Sequence, residues 1–338
     1  MKYFVFSILS VLLFIGCASR QYYEPKDRGF IAPNKIVQTN SYIKSYNSNG
    51  ATLENHEVIT NKGILKTKLP EGYTFLNLNE NIIMASDNQK NILLIGERNE
   101  TIELKKNVIG ASKENDILAL VFADNTIALY NLKTKQYIFR TYNQHSFVND
   151  TRVAAPLILN KIILFPTLDG KVVIVEKQTY KTVRTINIDP DKQINNIILL
   201  KTIGSTLIAA TQNKIISIQS NQQKTKEFFI QNYFVDEGHI YIAKLDGTIV
   251  KLDSQLNEIN SKKFRFAKIL SLSTDYENNL YALELGGYLI KLNPDFTKTN
   301  VFRFEVQDDE KMFALKNKIY FDNKILYLGK ENAITDKK

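Results

Sequence analysis

The stretch His239–Asp253, HIYIAKLDGTIVKLD, holds two short alternating runs around Asp246-Gly247. Period-two alternation belongs to a strand with two distinct faces, and Asp-Gly tolerates the positive φ that a two-residue hairpin turn demands. The unit recurs. ILALVFADNTIALYNLKT turns at Asp124-Asn125, IILFPTLDGKVVIVEKQT at Asp169-Gly170, TLIAATQNKIISIQS at Gln212-Asn213, and NLYALELGGYLIKLNPD at Gly286-Gly287. Weaker copies centre on Asp87-Asn88 and Asp322-Asn323. Between first turn residues the steps are 37, 45, 43, 34, 40 and 36 residues. Helical arrays and β-propellers share a period near 40, and the alternation selects the propeller.

From Thr74 the chain reads as units of four strands. In one of them the strands are expected at Arg152–Leu159, Lys161–Leu168, Lys171–Glu176 and Lys181–Ile188. Seven turns predict an all-β fold, a single propeller of seven four-stranded blades over residues 51–330, with a polar tail at 331–338. Eight blades is the alternative if residues 30–70 form a blade of their own. On the seven-blade reading, strands near Glu57–Thr60 and Ile64–Leu69 pair with the C-terminal strands and close the ring, removing exposed sheet edges. With 338 residues, 44% hydrophobic and 23% charged, the chain has ample material for a large core. The net charge of +9 is carried by lysines scattered beside polar turns. That is a solvated surface, not the concentrated footprint of a nucleic-acid binder.

The first residues bear on location. Tyr3–Ile15 is a 13-residue apolar run behind Met1-Lys2, shorter than the roughly 20 residues of a spanning helix and matched to a signal-peptide core over residues 1–16. It ends in Phe14-Ile15-Gly16-Cys17. Cys17 is the only cysteine, which excludes an internal disulfide, a cysteine-based metal site and a thiol catalyst. Residues 17–50, with Pro25 and Pro33 and little periodicity, read as a flexible tether.

Two motifs carry a resemblance. Phe14–Cys17 resembles the lipobox of bacterial lipoproteins, with Phe14 where that class usually has Leu. The pattern Asp-Gly-x-hydrophobic-x-hydrophobic-acidic, in Asp169–Glu176 and Asp246–Asp253, is similar to the repeat of quinoprotein-type propellers. Together they resemble the BamB-type propeller lipoproteins of the outer-membrane β-barrel assembly machinery. The resemblance implies lipidation at Cys17 and outer-membrane sorting, since Ala18 follows the cysteine. It also implies a monomeric, periplasm-facing scaffold whose partners are other envelope proteins, with the membrane reached through the lipid anchor. The chain has no Trp, whereas quinone-binding members carry it, so no cofactor is expected.

The inventory of chemical groups points the same way. His56, His145 and His239 fit no metal spacing, and neither a Gly-x-Ser-x-Gly elbow nor a phosphate-binding glycine loop is present. No catalytic residue and no metal site is assigned, and the chain is read as a non-enzyme. Asp124, Asp169 and Asp246 stand in turn register and cap their turns. Two other classes stay open: an enzyme or cofactor-binding propeller with a channel-centred site, and a surface binder of polysaccharide or host protein.

Partner contacts are expected in the long connections Tyr142–Thr151 and Ile188–Asn195, on the face carrying the second-to-third-strand turns, because long loops on a rigid scaffold usually hold binding sites. Their candidates are Tyr142, His145 and Phe147 beside Asp189, Asp191 and Lys192, an aromatic centre with charged neighbours. A secondary set is Arg140, Arg184, Arg265 and Arg303, which recur in outer-strand register. Glu97–Thr101 places Asn99 in an Asn-x-Thr acceptor pattern.

Overall fold

The computed structural model describes residues 21–26, 28–30, 36–143, 146, 152–189, 195–220, 222–236, 238–303 and 311–329. Among them are eight antiparallel sheets, seven of four strands and one extended to five. The propeller therefore has eight blades, not seven. They occupy residues 43–68, 74–103, 108–142, 157–187, 199–227, 230–263, 269–303 and 312–327, and are numbered here in that order.

The eighth sheet, held above only as the alternative over residues 30–70, was not counted because its second-to-third-strand turn, Glu54-Asn55-His56, lacks the Asp-Gly or Asp-Asn pair that marks most of the others. The strands Glu57–Thr60 and Gly63–Lys68 do not close the ring; they belong to blade 1, with Ile43–Asn47 and Gly50–Leu53. The first strand of that blade, Ile43–Asn47, and the opening residue of the second, Gly50, thus lie within the stretch read as tether. Closure is made by Ile36–Gln38, which pairs antiparallel with Lys324–Tyr327 as the outer strand of blade 8. Gly29–Phe30 adds a parallel fifth strand to blade 7, opposite Phe302 and Arg303.

Alternation explains how the blades hold together. In blade 3, Leu118, Leu120 and Phe122 pack with Leu76, Met84 and Ile92 of blade 2. Ala119 and Val121, on the other face of the same strand, pack with Ile163 and Phe165 of blade 4. A central strand is thus buried on both faces and reads as a continuous apolar run, ILALVF. The outer strand of blade 1, GILKTK, alternates half-buried and exposed residues. Eight such cores lie one between each neighbouring pair of blades, including blade 8 with blade 1 through Phe313, Tyr320, Ile43 and Leu53.

The turns follow the expected chemistry. Gly170, Gly247 and Gly287 have φ of 75°, 79° and 82°, and Asn125 and Asn88 have 64° and 59°. At Gly247 a Cβ would also stand 2.1 Å from the Phe264 carbonyl oxygen, so only glycine fits.

The innermost strands carry a polar belt around the axis. Asn47 Nδ2 donates to the carbonyls of Phe75 (2.9 Å) and Leu76 (3.1 Å), and Asn77 Nδ2 to that of Ala111 (3.0 Å). Ser112 Oγ donates to Pro156 O (2.6 Å), Asn232 Nδ2 to Leu270 O (2.6 Å) and Ser273 Oγ to Leu315 O (2.7 Å). Each bond joins one blade to the next.

Candidate functional site

Two places gather functional groups: the face carrying the second-to-third-strand turns, and the axial channel. On the face, Tyr142 ends the outer strand of blade 3 and is 63% exposed. The Lys106 ammonium sits 4.8 Å from its ring centroid and the Arg140 guanidinium 5.4 Å, with Arg140 also 5.0 Å from the Tyr137 ring. Lys106 Nζ is held at 2.6 Å from Asp124 Oδ2 and 3.2 Å from Thr126 Oγ1. Burial opposes ionisation of Asp124, but the bonds from Lys106 and Thr126 outweigh it and lower its pKa. The result is a fixed cation–aromatic patch of the kind favoured at protein interfaces.

Beside it lies a buried polar knot that ties the turns of blades 3 and 4. Asn125 Nδ2 donates to Asp169 Oδ1 (3.1 Å), and Asn125 Oδ1 accepts from Leu168 N (2.7 Å). Lys171 Nζ is 2.6 Å from Asp169 Oδ2. Burial pushes the Asp169 carboxyl up, yet Lys171, Thr167 and Asn125 together hold it below its ordinary value. Asn143 Nδ2 reaches Asn125 O (2.9 Å) and Ser146 Oγ reaches Leu168 O (3.0 Å), so the Tyr142 connection is seated on this knot. Ile188 N bonds Gly170 O, which brings the second connection to the same turn. The described ends of the two connections thus meet beside the turns of blades 3 and 4.

The candidates fare differently there. Tyr142 is displayed. Asp189 is 4% exposed and its carboxylate faces inward, 3.5 Å from Lys214 Nζ. His145, Phe147, Asp191 and Lys192 lie outside the described residues, as does Cys17 with the leader. Of the arginines, Arg140 joins the patch, and Arg184 is exposed on the outer strand of blade 4. Arg265 follows its outer strand instead of lying within it, and stacks on Phe266 at 4.8 Å. Arg303 stacks on Tyr288 at 5.1 Å and stands opposite the added strand Gly29–Phe30. Lys106 and the Asn125–Asp169–Lys171 knot were not picked out in the sequence, because their role depends on turns 44 residues apart meeting in space.

The channel holds two adjoining cavities of about 410 and 750 Å³. The smaller is lined by Asn77, Asn79, Glu80, Ser112, Lys113 and Glu114, among others. Lys113 Nζ is 3.0 Å from Glu80 and Glu114 meets Lys177, while Lys201 also lines this cavity. The larger is lined by Arg152, Lys201, Lys268 and Lys316 together with Asp236 and the rings of Tyr46 and Tyr233. Arg152 Nη1 donates to Gln231 O (3.1 Å) and its guanidinium lies 5.8 Å from the Tyr233 ring.

These features define an all-β propeller with a charged aromatic patch on one face and a cation-lined axis. No protein-family model matches the chain. It is 28% identical to the plasminogen-binding protein PgbB of Helicobacter pylori strain J99, over an alignment taking in 95% of this chain and 70% of PgbB. The PgbB of strain 26695 is 27% identical over the same shares. Among solved structures, BamB from Moraxella catarrhalis superposes with a TM-score of 0.64 at 12% identity, covering 86% of this chain and 97% of BamB. The C-terminal WD40 domain of Sif2 gives 0.62 at 10% identity, covering 90% of this chain and all of that domain. At such identities the structural likeness is one of fold.

Proposed function

We propose that the chain is an envelope-displayed propeller that works by binding protein, and that its partner is a host protein of the plasminogen kind. One observation carries this reading: along 95% of its length the chain is similar to a plasminogen-binding protein. The exposed patch of Lys106, Arg140 and Tyr142 supplies a surface chemically suited to it. Display at the membrane rests on the lipobox-like Phe14–Cys17, with the outer membrane as the expected site. Purified protein on a sensor surface should bind plasminogen saturably. Arg140→Glu combined with Tyr142→Ala should weaken that binding roughly tenfold or more, the usual cost of removing an interface anchor. No binding above that of an unrelated propeller overturns the reading.

A second reading keeps the partners within the envelope, in outer-membrane β-barrel assembly. Its support is the lipobox-like leader joined to a propeller of BamB-like fold. Affinity capture from gently solubilised membranes separates the two, because only this reading expects assembly proteins in the eluate. Both require the anchor. Cys17→Ser should release the protein from membranes, and normal retention with normal acyl labelling rules the anchor out.

A further inference from the structure

Most charged groups facing the axis are matched. Glu80 has Lys113, Glu114 has Lys177, and Asp236 Oδ1 accepts from the backbone N–H groups of Gly238 (2.9 Å) and His239 (2.6 Å). Lys201 and Lys268 are the exceptions, and of the two only Lys201 lines both cavities. Lys201 follows Leu199 and Leu200 on the inner strand of blade 5. Among the described residues no acidic group and no hydrogen-bond acceptor engages its ammonium. It retains exposed surface, because it faces the channel and not a packed core. The strands around it nevertheless desolvate it in part, which lowers its pKa. Arg152, Lys268 and Lys316 line the larger cavity with it, against Asp236 as the single acidic lining group among the described residues.

We propose that the axial channel is a binding site for a small organic or inorganic oxyanion, a carboxylate or phosphate group received by the Lys201 ammonium. An unpaired ammonium grouped with Arg152, Lys268 and Lys316 around one cavity gains from an arriving anion, which offsets the mutual repulsion of the cations. Arg152 is held by the backbone of blade 6, so its charge is in place before a ligand enters. The cavity of about 750 Å³ falls within the size range of small-molecule sites. This site is separate from the face proposed to bind protein, and it stands or falls without plasminogen.

The probes are citrate and inorganic phosphate, each titrated calorimetrically into the full mature protein at constant ionic strength, with chloride as control. Citrate alone binding identifies a carboxylate source; phosphate binding equally well identifies any compact oxyanion; both outcomes support the site. Lys201→Met, which keeps the stem's length and apolar contacts, should weaken binding at least tenfold while leaving the melting temperature unchanged or raised. Ligand saturation should also raise the titration midpoint of the Lys201 ammonium, followed by NMR of labelled lysine. Absence of binding by both probes overturns the proposal. Equal affinity in Lys201→Met, or a midpoint that does not move, overturns it as well.

Discussion

Blade 3 and blade 8 have the same four-stranded plan and are built in opposite ways. Blade 3 is one continuous stretch, residues 108–142, with strands of six or seven residues. Blade 8 joins two ends of the chain: strands of four residues at 312–327 and a three-residue strand, Ile36–Gln38. Its outer strand contributes three register pairs, where the outer strand of blade 3 contributes six. Long-range closure also carries a larger loop-entropy cost than a hairpin. The ring is therefore strongest where its blades are local and weakest where its ends meet, and the chain reinforces the weak side from outside. Ile36 packs into the blade 7–8 core, Gly29–Phe30 covers the edge of blade 7, and Tyr23 packs edge-on against Phe264 and Tyr288.

Removing residues up to and including Gln38 tests this contrast with the largest expected effect. It exposes the edge of Lys324–Tyr327 and strips Ile36 and Tyr23 from their cores. A loss of about 3 kcal/mol or more is expected, in line with removing several buried contacts at once. Hydrogen exchange should quicken in residues 312–327 before it quickens in blade 3. If the truncated chain melts like the intact one, closure at 36–38 contributes nothing and the comparison fails.

The same contrast separates what could be read in the sequence from what could not. Hairpins such as Thr248–Leu252 and its partner strand were legible because the turn residues and the alternation are local signals. Strands of two and three residues are too short to show a period, so the closure at Ile36–Gln38 was invisible and blade 1 lost its place. That the described ends of the two long connections meet near the turns of blades 3 and 4 was legible from the four-strand blade plan. Asp189 was not legible as a buried group, because its partner Lys214 lies in the next blade. The inter-blade belt of Asn47, Asn77, Ser112, Asn232 and Ser273 mixes two residue types at uneven spacing, and only the ring aligns them.

A smaller effect is expected on the strong side, at Asp169. Its carboxyl is held below the ordinary value, so its stabilisation is complete above the usual carboxylate range and is lost as pH falls through the folded value. Asp169→Asn removes the charge facing Lys171 and should cost about 1–3 kcal/mol at neutral pH, the scale of a buried hydrogen bond to a charged group. The variant should also lose less stability than the parent on acidification below about pH 4. Equal acid limbs in denaturant melts of the two proteins would show that the knot does not depend on this charge.

The smallest effect belongs to Tyr23, at the reinforced end. Burial, then Glu284, then Tyr288 push its phenol up to about 12. Because the folded value lies above the unfolded one, its contribution is complete below the ordinary tyrosine value near 10 and is lost as pH rises toward the folded value. Tyr23→Phe keeps both edge-on ring contacts and removes only the ionisable oxygen, so stability at neutral pH should be unchanged. Tyr23 is partly exposed to solvent, and screening should keep the alkaline difference below about 1 kcal/mol. Chemical denaturation at about pH 8 and about pH 11 measures it, the wild type losing slightly more than Tyr23→Phe across that interval. Tyr23→Ala, which removes the ring itself, should lose stability at both pH values. If Tyr23→Ala matches the wild type at neutral pH, the N-terminal segment is not fastened at blade 7, and the reinforcement of the weak side reduces to Gly29–Phe30 and Ile36–Gln38.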